Sequence, residues 1–228
     1  DRQQNLFHIV SHELHSPLAR INCAVELARR YPDITPKMLD RIESDVQKLD
    51  SLVGDLLTYT RLNAEVSIPF SEIDVSEIVE DIADNASLEG DARKIQVICD
   101  LPKDDLIMTG NADLLAHAIE NVVRNALRFS PDGGKVTIQG GMVSDSSLQI
   151  SVQDEGPGIP QEEMAKIFDP FFRGANQATG SGYGLGLPIT MQAAQHHGGT
   201  VHAENILPHG LKITITLPLK PAGKSEKA

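Results

Sequence analysis

From Leu39 to Leu56 the apolar residues Leu39, Ile42, Val46, Leu49, Val53 and Leu56 are spaced 3, 4, 3, 4 and 3 apart. That is the seam of a bundled helix rather than the broader stripe of a globular surface. Upstream, Val10, Leu14, Leu18, Ile21, Val25 and Ala28 step by 4, 4, 3, 4 and 3. Between the two runs, "YPDITP" at Tyr31 to Pro36 carries two prolines that cannot sit inside a helix. Residues 5–63 therefore read as an antiparallel helical hairpin. Leu52 and Leu57 flank the second seam, and one hairpin cannot bury every apolar flank, so two chains are expected to form a four-helix bundle.

Around Ala64 to Phe70 ("AEVSIPF") the heptads stop and the pattern becomes mixed. Val75 to Ala92 reads as a helix, and "IQVICD" and "LIMTG" as strands. "ADLLAHAIENVVRNALRF" is a strong helix with Asn111 available as its N-cap. "KVTIQG", "LQISVQD", "GTVHAEN" and "LKITITLP" alternate as strands do, with "DGG" and "PHG" as turns. The order α, β, β, α, β, β, loop, α, β, β predicts an α+β sandwich, a mixed or antiparallel sheet under a helical layer, and not a Rossmann fold.

Composition narrows the functional classes. A chain of 228 residues with 40% hydrophobic content suits two small domains. A net charge of −12, no basic stripe and only 4% aromatics argue against nucleic acid as a partner. Cys23 and Cys99 lie far apart without CxxC spacing, which supports neither a disulfide framework nor a zinc knuckle and fits a reducing compartment. With no run of 18 apolar residues and no signal peptide, the chain itself is expected to be soluble. Its abrupt start inside a helical pattern at Asp1 suggests a piece of something longer.

Two glycine clusters, "DEGPGIP" at Asp154 to Pro160 and "GSGYGLGLP" at Gly180 to Pro188, frame the second half. Glycine allows close backbone approach, and a glycine run entering a helix exposes amides that bind phosphate; taken singly, each cluster could equally be a surface turn. Neither GxxxxGK[ST] nor GxGxxG occurs, so a nucleotide site here is of another type. Asn121, Asn125 and Arg128 fall on one helix face, with Val122, Ala126 and Phe129 on a neighbouring one. Two carboxamides and a guanidinium suit hydrated Mg²⁺ and the phosphates it bridges, although in isolation a solvated polar face explains them as well. His8 and His12 have a zinc-compatible spacing, but His12 to His15 is one residue short of HExxH and a third ligand is lacking. His196, His197, His202 and His209 read as satisfied surface histidines.

Together "VSHELHSPL", "NVVRNALRFS", "DEGPGI", "IFDPFFRG" and "GYGLGLPI" resemble, in order and spacing, the boxes of a bacterial two-component sensor histidine kinase. The resemblance runs from Phe7 to about Leu219. Within that family, "RIESDVQKLDSLVGDLL" and "SHELHSPLARI" look most like the CpxA-type envelope-stress sensors. The resemblance implies a dimerisation and phosphoacceptor hairpin (1–63), a linker (64–70), an ATP-binding domain of the GHKL type shared with gyrase, Hsp90 and MutL (71–220) and a disordered tail (221–228). His12 would be the phosphorylated histidine and Glu13 its acidic neighbour. Asn121, Asn125, Arg128 and Phe129 would belong to the asparagine box, with Asn125 the Mg²⁺ ligand. Asp154 would bond the adenine amino group, Gly156, Gly158 and Ile159 would line the base, and Phe168 and Phe172 would form the aromatic box. Arg173 and the run Gly182, Tyr183, Gly184, Leu185, Gly186 and Leu187 would hold the phosphates. The implied cofactors are ATP and Mg²⁺, and the implied partners a second copy and a response regulator's receiver domain. The implied location is the cytoplasmic portion of an inner-membrane protein, attached through segments outside this chain.

Helix geometry adds a reason for the histidine. Val10 and Leu14 lie two residues to either side of His12, about 200° around the helix, so a seam made by them leaves His12 facing solvent. A neutral imidazole nitrogen is a nucleophile, and Glu13 can accept its other N–H. Pro17 removes the amide that would bond the carbonyl of Glu13 and is expected to bend the helix. The family usually has arginine and threonine where His15 and Ser16 stand. That threonine is associated with holding a dephosphorylating water, and Ser16 keeps the hydroxyl without the methyl that restricts its rotamer. Two other readings compete: a scaffolding dimer without catalysis, against which Asn125, Asp154 and both glycine loops argue, and an anti-sigma-type serine kinase, which would lack the heptad hairpin.

Overall fold

The computed structural model describes residues 2–64, 68–174 and 182–220, with side chains from residue 9 onward. The expected tail and the centre of the expected linker fall outside the described residues. The chain divides into two compact units, one running to Thr60 and taking in Gly182 and Tyr183 as well, the other starting at Arg61 and holding the rest.

The first unit is the expected hairpin. Helix α1 (Arg2–Arg30) turns through a 3-10 segment at Pro32–Ile34 into α2 (Thr35–Asn63). Pro36 sits in the first turn of α2, where a missing amide costs nothing. α1 continues as helix through Pro17. On α1 the buried residues Val10, Pro17 and Ala24 recur every seventh position, and on α2 Met38, Asp45 and Leu52 do the same. Antiparallel connectivity puts Ala24 level with Met38, Pro17 with Asp45 and Val10 with Leu52. This line is displaced from the seam read in the sequence. Leu39, Val46 and Val53, one residue further on, remain 56%, 50% and 43% exposed, as do Leu18 and Leu57. α2 thus carries, beside the buried line turned to its own hairpin partner, an apolar line left open.

In the second unit a five-stranded sheet has the order β2-β4-β5-β7-β6, formed by β2 (Gln96–Asp100), β4 (Lys135–Ser144), β5 (Ser147–Asp154), β6 (Thr200–Asn205) and β7 (Leu211–Pro218). β2 and β4 are parallel and the other pairs antiparallel. One face is covered by α3 (Val75–Asp91), α4 (Ala112–Phe129) and α5 (Gly186–His196), completing the α+β sandwich. A strand unseen in the sequence, β1 (Ser71–Asp74), pairs with β3 (Ile107–Gly110) in a small separate sheet. Asp74 then caps α3 by accepting from the Ser76 amide, and Asn111 caps α4 by accepting from Leu114.

Packing delivers the site residues. On α4, Leu115, Ala118, Ile119, Val122, Val123 and Ala126 are buried against the sheet and neighbouring helices, which turns Asn121, Asn125 and Arg128 to a different face. Along β5, Leu148, Ile150 and Val152 point into the same core, and strand alternation makes Asp154 the next residue on that inner face. A carboxyl is thereby placed at the end of an apolar row, 5% exposed.

Candidate functional site

On the hairpin, the His12 side chain is 79% exposed and its Nδ1 stands 3.8 Å from a Glu13 carboxylate oxygen. His15 is tied down instead, its Nδ1–H donating to the Ser11 carbonyl at 2.6 Å. Ser16, one helical turn from His12, accepts from Arg20 Nη1 at 2.8 Å. Arg20 in turn grips buried Asp45 of α2, Nε reaching both carboxylate oxygens at 3.1 Å and Nη2 one of them at 3.0 Å. This fork holds the Asp45 carboxyl below its usual range, against the opposing effect of burial. Nothing local in the sequence pairs residues 25 positions apart, and neither Arg20 nor Asp45 was legible as part of the site.

The second unit holds the expected nucleotide residues other than Gly182 and Tyr183, which group with the first. Asn121 lies under the first turn of α5, where a Cβ built on Gly186 would come 3.2 Å from its Oδ1. Arg128 rests on the Phe129 ring at 5.0 Å from the centroid. Burial, with Arg173 nearby, pushes its guanidinium below the usual arginine value. Asn121 Nδ2 and Arg128 Nη2 are both buried without a hydrogen-bond partner. Asn125 is half-buried on the same ridge. Orphaned donors of this kind cost about 1–3 kcal/mol each unless something fills them, and an anionic, oxygen-rich ligand is the chemistry that would.

Asp154 Oδ1 accepts from the amides of Gly156 at 2.8 Å and Leu211 at 3.2 Å. Burial still pushes its carboxyl above the usual range, the two amides acting against that shift. Gly156 is required by space, because a Cβ there would meet Asp154 Oδ1 and the Phe129 carbonyl, each at 2.8 Å. Gly158 has φ +71° and is locked by Asn205, whose side chain accepts from the Ile159 amide at 2.8 Å and donates to the Ile159 carbonyl at 2.7 Å. Asn205 comes from β6, far along the chain, and was not among the residues predicted. Phe168 and Phe172 are half-buried against the core, as are Ile159 and Leu187. Gly184 has φ +72°, with its carbonyl accepting from the Phe171 amide at 2.8 Å. Leu185 is fully buried, Tyr183 half-buried, Gly182 exposed at φ +143° and Arg173 exposed. Most of the loop between Arg173 and Gly182 lies outside the described residues.

One reading is corrected. His197 is not a surface histidine: it is 0% exposed, donates from Nδ1 to the Ala193 carbonyl at 2.7 Å, accepts at Nε2 from the Asn111 amide at 3.0 Å and stacks on Phe70 at 4.8 Å. Both ring nitrogens are thereby used inside the fold, and burial lowers its pKa. His202 and His209 are exposed as expected.

Comparison with known proteins gives the same division of labour. Residues 2–65 match the family described as the His Kinase A (phospho-acceptor) domain, and residues 110–221 match the histidine kinase-, DNA gyrase B- and HSP90-like ATPase family. The chain is 36% identical over 95% of its length to the sensor histidine kinase CpxA of Escherichia coli strain K12. It is 33% identical over 92% to the sensor histidine kinase WalK of Bacillus subtilis strain 168. It spans 47% of that CpxA and 36% of that WalK, about half or less of each relative. Among solved structures, a mycobacterial sensor histidine kinase MprB aligns over 67% of this chain and all of its own, with a TM-score of 0.61 and 28% identity. The histidine kinase ThkA, solved in complex with the response regulator protein TrrA, shares the fold over 95% of this chain and 62% of its own, with a TM-score of 0.77 and 23% identity. A phospho-acceptor hairpin joined in one chain to this ATPase fold, with relatives of that architecture along nearly its whole length, makes the chain a member of the sensor histidine kinase family.

Proposed function

We propose that this chain is the kinase portion of a membrane sensor, phosphorylating itself on His12 with ATP and passing the phosphoryl group to an aspartate of a response regulator. The observation that carries the reading is the pair of buried, unbonded donors, Asn121 Nδ2 and Arg128 Nη2, on one ridge of α4. Fixed donors without partners are what a triphosphate's oxygens would satisfy.

In this reading Asp154 would accept the adenine amino group through Oδ2, since Oδ1 is already committed to two backbone amides. Gly156, Gly158 and Ile159 would let the backbone approach the ring, and the Asn205 bonds fix that stretch of backbone. Asn121, Arg128, Phe129, Arg173 and the amides of Gly184 to Leu187 would hold the phosphates, at the start of α5 where a helix N-terminus favours anions. Asn125 offers a carboxamide oxygen suited to Mg²⁺, which takes oxygen ligands and keeps several waters. Among the described residues no three His, Cys, Asp or Glu side chains cluster as a metal cage, so a metal here would share its ligands with the nucleotide's own phosphates. When bound, it would neutralise phosphate charge during transfer.

His12 supplies the nucleophile. Its exposure leaves a ring nitrogen free to bond the γ-phosphorus as the bond to the bridging oxygen of ADP breaks, while Glu13, its carboxylate 3.8 Å from Nδ1, is near enough to accept the other N–H after a small turn of the ring. A bulky, exposed acceptor also suits later delivery to a receiver domain, the kind of partner with which ThkA was solved. The open line of Leu39, Val46, Val53 and Leu57 is the surface on which a second copy would complete a four-helix bundle. Among the described residues no helix is long and apolar enough to cross a membrane; attachment to the inner membrane, with this portion in the cytoplasm, would run through other segments, as the relatives' greater length suggests.

The test is incubation with γ-labelled ATP and Mg²⁺. The reading expects label that is lost in acid and survives alkali, as a phosphorus–nitrogen bond does. Absence of label, or label stable in acid, would overturn it.

A further inference from the structure

The loop that leaves β5 at Asp154 carries two glycines before it reaches Pro160, and glycine backbone loses the most freedom when it is ordered. What holds this loop comes from the far end of the chain. Asn205 and Leu211 face each other as the last pair of the β6–β7 ladder, and the turn between them is closed by the Ile206 amide donating to the Gly210 carbonyl at 2.9 Å. The Leu211 amide donates to Asp154 Oδ1 at 3.2 Å, where the loop starts. Asn205 meets the other end: its Oδ1 accepts from the Ile159 amide at 2.8 Å, and its Nδ2 donates to the Ile159 carbonyl at 2.7 Å. Between these points His209 Nδ1–H donates to the Glu155 carbonyl at 3.1 Å. A Cβ on Gly158 would lie 2.7 Å from Asn205 Oδ1, so the loop closes tightly on that side chain. One carboxamide thus satisfies both backbone groups of Ile159, which takes a donor and an acceptor side by side.

We infer that Asn205 is a positioning residue that sets base selectivity, holding the far end of the loop so that a purine is kept against the Asp154 carboxylate. This rests on the reading of the loop as the base site and names what makes that site discriminating. Asn205 acts through the backbone of Ile159 and not by touching the base. An adenine amino group donates to the carboxylate, whereas hypoxanthine presents a carbonyl at the same place, oxygen against oxygen. Such a mismatch is rejected only while the base is held where it must meet the carboxylate. With Asn205 truncated, the N–H and C=O of Ile159 turn to water and the loop's far end is released. Adenine then loses its fixed seat, and hypoxanthine gains room to move away from Asp154. Because Asn205 is exposed on the edge strand β6, truncating it opens no cavity in the core. The fold and the selectivity are therefore separable at this one side chain.

The experiment titrates the whole chain, wild type and Asn205→Ala, with ADP and with inosine diphosphate in Mg²⁺ by calorimetry. Wild type is expected to prefer ADP by at least about a hundredfold. In Asn205→Ala that preference should fall about tenfold, the net worth of one or two exposed hydrogen bonds. The fall should come from weaker ADP binding, with inosine diphosphate within about twofold, because its phosphates are held by residues of α4. Two measurements on the ligand-free proteins separate this from a general loss of structure. The melting temperature should stay within about 2 °C, as for an ordinary surface substitution, while amide exchange in the peptide covering Asp154 to Pro160 should quicken. An unchanged preference, an equal loss for both nucleotides, or a variant that no longer folds overturns the inference and leaves Asn205 as a fold element only. A wild-type chain that binds the two nucleotides alike overturns the reading of the loop as a base site, and the inference with it.

Discussion

Replacing Asp154 with asparagine separates folding from nucleotide recognition. Asparagine keeps Oδ1, so the amides of Gly156 and Leu211 retain their acceptor. It exchanges the other oxygen for an NH₂, which would meet the adenine amino group donor to donor. Loss of a charge-assisted hydrogen bond costs about 1.5–3 kcal/mol, so the affinity for ATP or ADP should fall roughly a hundredfold. Stability of the ligand-free chain should hold or rise slightly at neutral pH. The reason is the raised carboxyl of Asp154. A group whose pKa is higher folded than unfolded contributes stability that is complete below the unfolded pKa and lost as pH rises through the folded one, so at neutral pH its buried charge is a burden that asparagine removes. Nucleotide affinity runs the other way in wild type, weakening as acid protonates the carboxylate, and that dependence should vanish in the variant.

Thermal unfolding with and without nucleotide reads both effects. At a concentration a hundredfold above the wild-type Kd, binding adds about 2.7 kcal/mol, or roughly 5–10 °C for a unit of this size. The same concentration should move the variant by only about 1 °C. A variant that shifts as far as wild type, or one whose ligand-free form unfolds several degrees earlier, would refute the assigned role of this carboxyl.

Three further outcomes follow from the described geometry. Val53→Asp places a charge on the open apolar line of α2, 43% exposed in a single chain; static light scattering should then report monomers, since an unpaired charge in a bundle interior costs several kcal/mol, and an unchanged dimer would put the interface elsewhere. Gly184→Ala forces a side chain onto φ +72° with its Cβ 2.7 Å from the Phe172 carbonyl; it should cost about 1–3 kcal/mol, seen as a drop of several degrees in Tm together with weaker nucleotide binding, and an alanine variant that matches wild type would show that this turn is not constrained. Asn125→Ala should weaken ATP binding in Mg²⁺ far more than in EDTA, by isothermal titration, because a metal ligand matters only when metal is present; equal losses in both buffers would remove Asn125 from the metal's neighbourhood.

What the sequence reveals of this architecture is what local periodicity can carry. The helix at Ala112–Phe129 and its Asn111 cap coincide with the segment read from the pattern, because a strongly amphipathic run and a capping side chain act within a few residues. The glycines at 156, 158 and 184 announced tight backbone, and each proves to need it. β1 escaped because "SEID" is polar and four residues long, existing only through its pairing with β3. β4 runs four residues past "KVTIQG", through two glycines that resemble a stop, because β5 continues to pair with it. The Asn205 bonds to Ile159 and the Arg20–Asp45 fork join residues remote in sequence, and no local pattern encodes such a contact. His197 shows the same limit in reverse: beside His196 and two glycines it looks like a helix end, whereas Asn111 and Phe70, distant in the chain, enclose it.

The claim on which the account turns is that His12 is the residue phosphorylated. The direct measurement compares wild type with His12→Gln in γ-labelled ATP and Mg²⁺, maps any phosphate by peptide mass spectrometry at neutral pH, and titrates both proteins with ADP. The account predicts phosphate on the His12 peptide of wild type alone, with ADP affinity within about twofold in the two proteins because His12 belongs to one unit while Asn121, Arg128 and Asp154 belong to the other. Label that persists in His12→Gln, or maps in wild type to His15 or to any other residue, would contradict it.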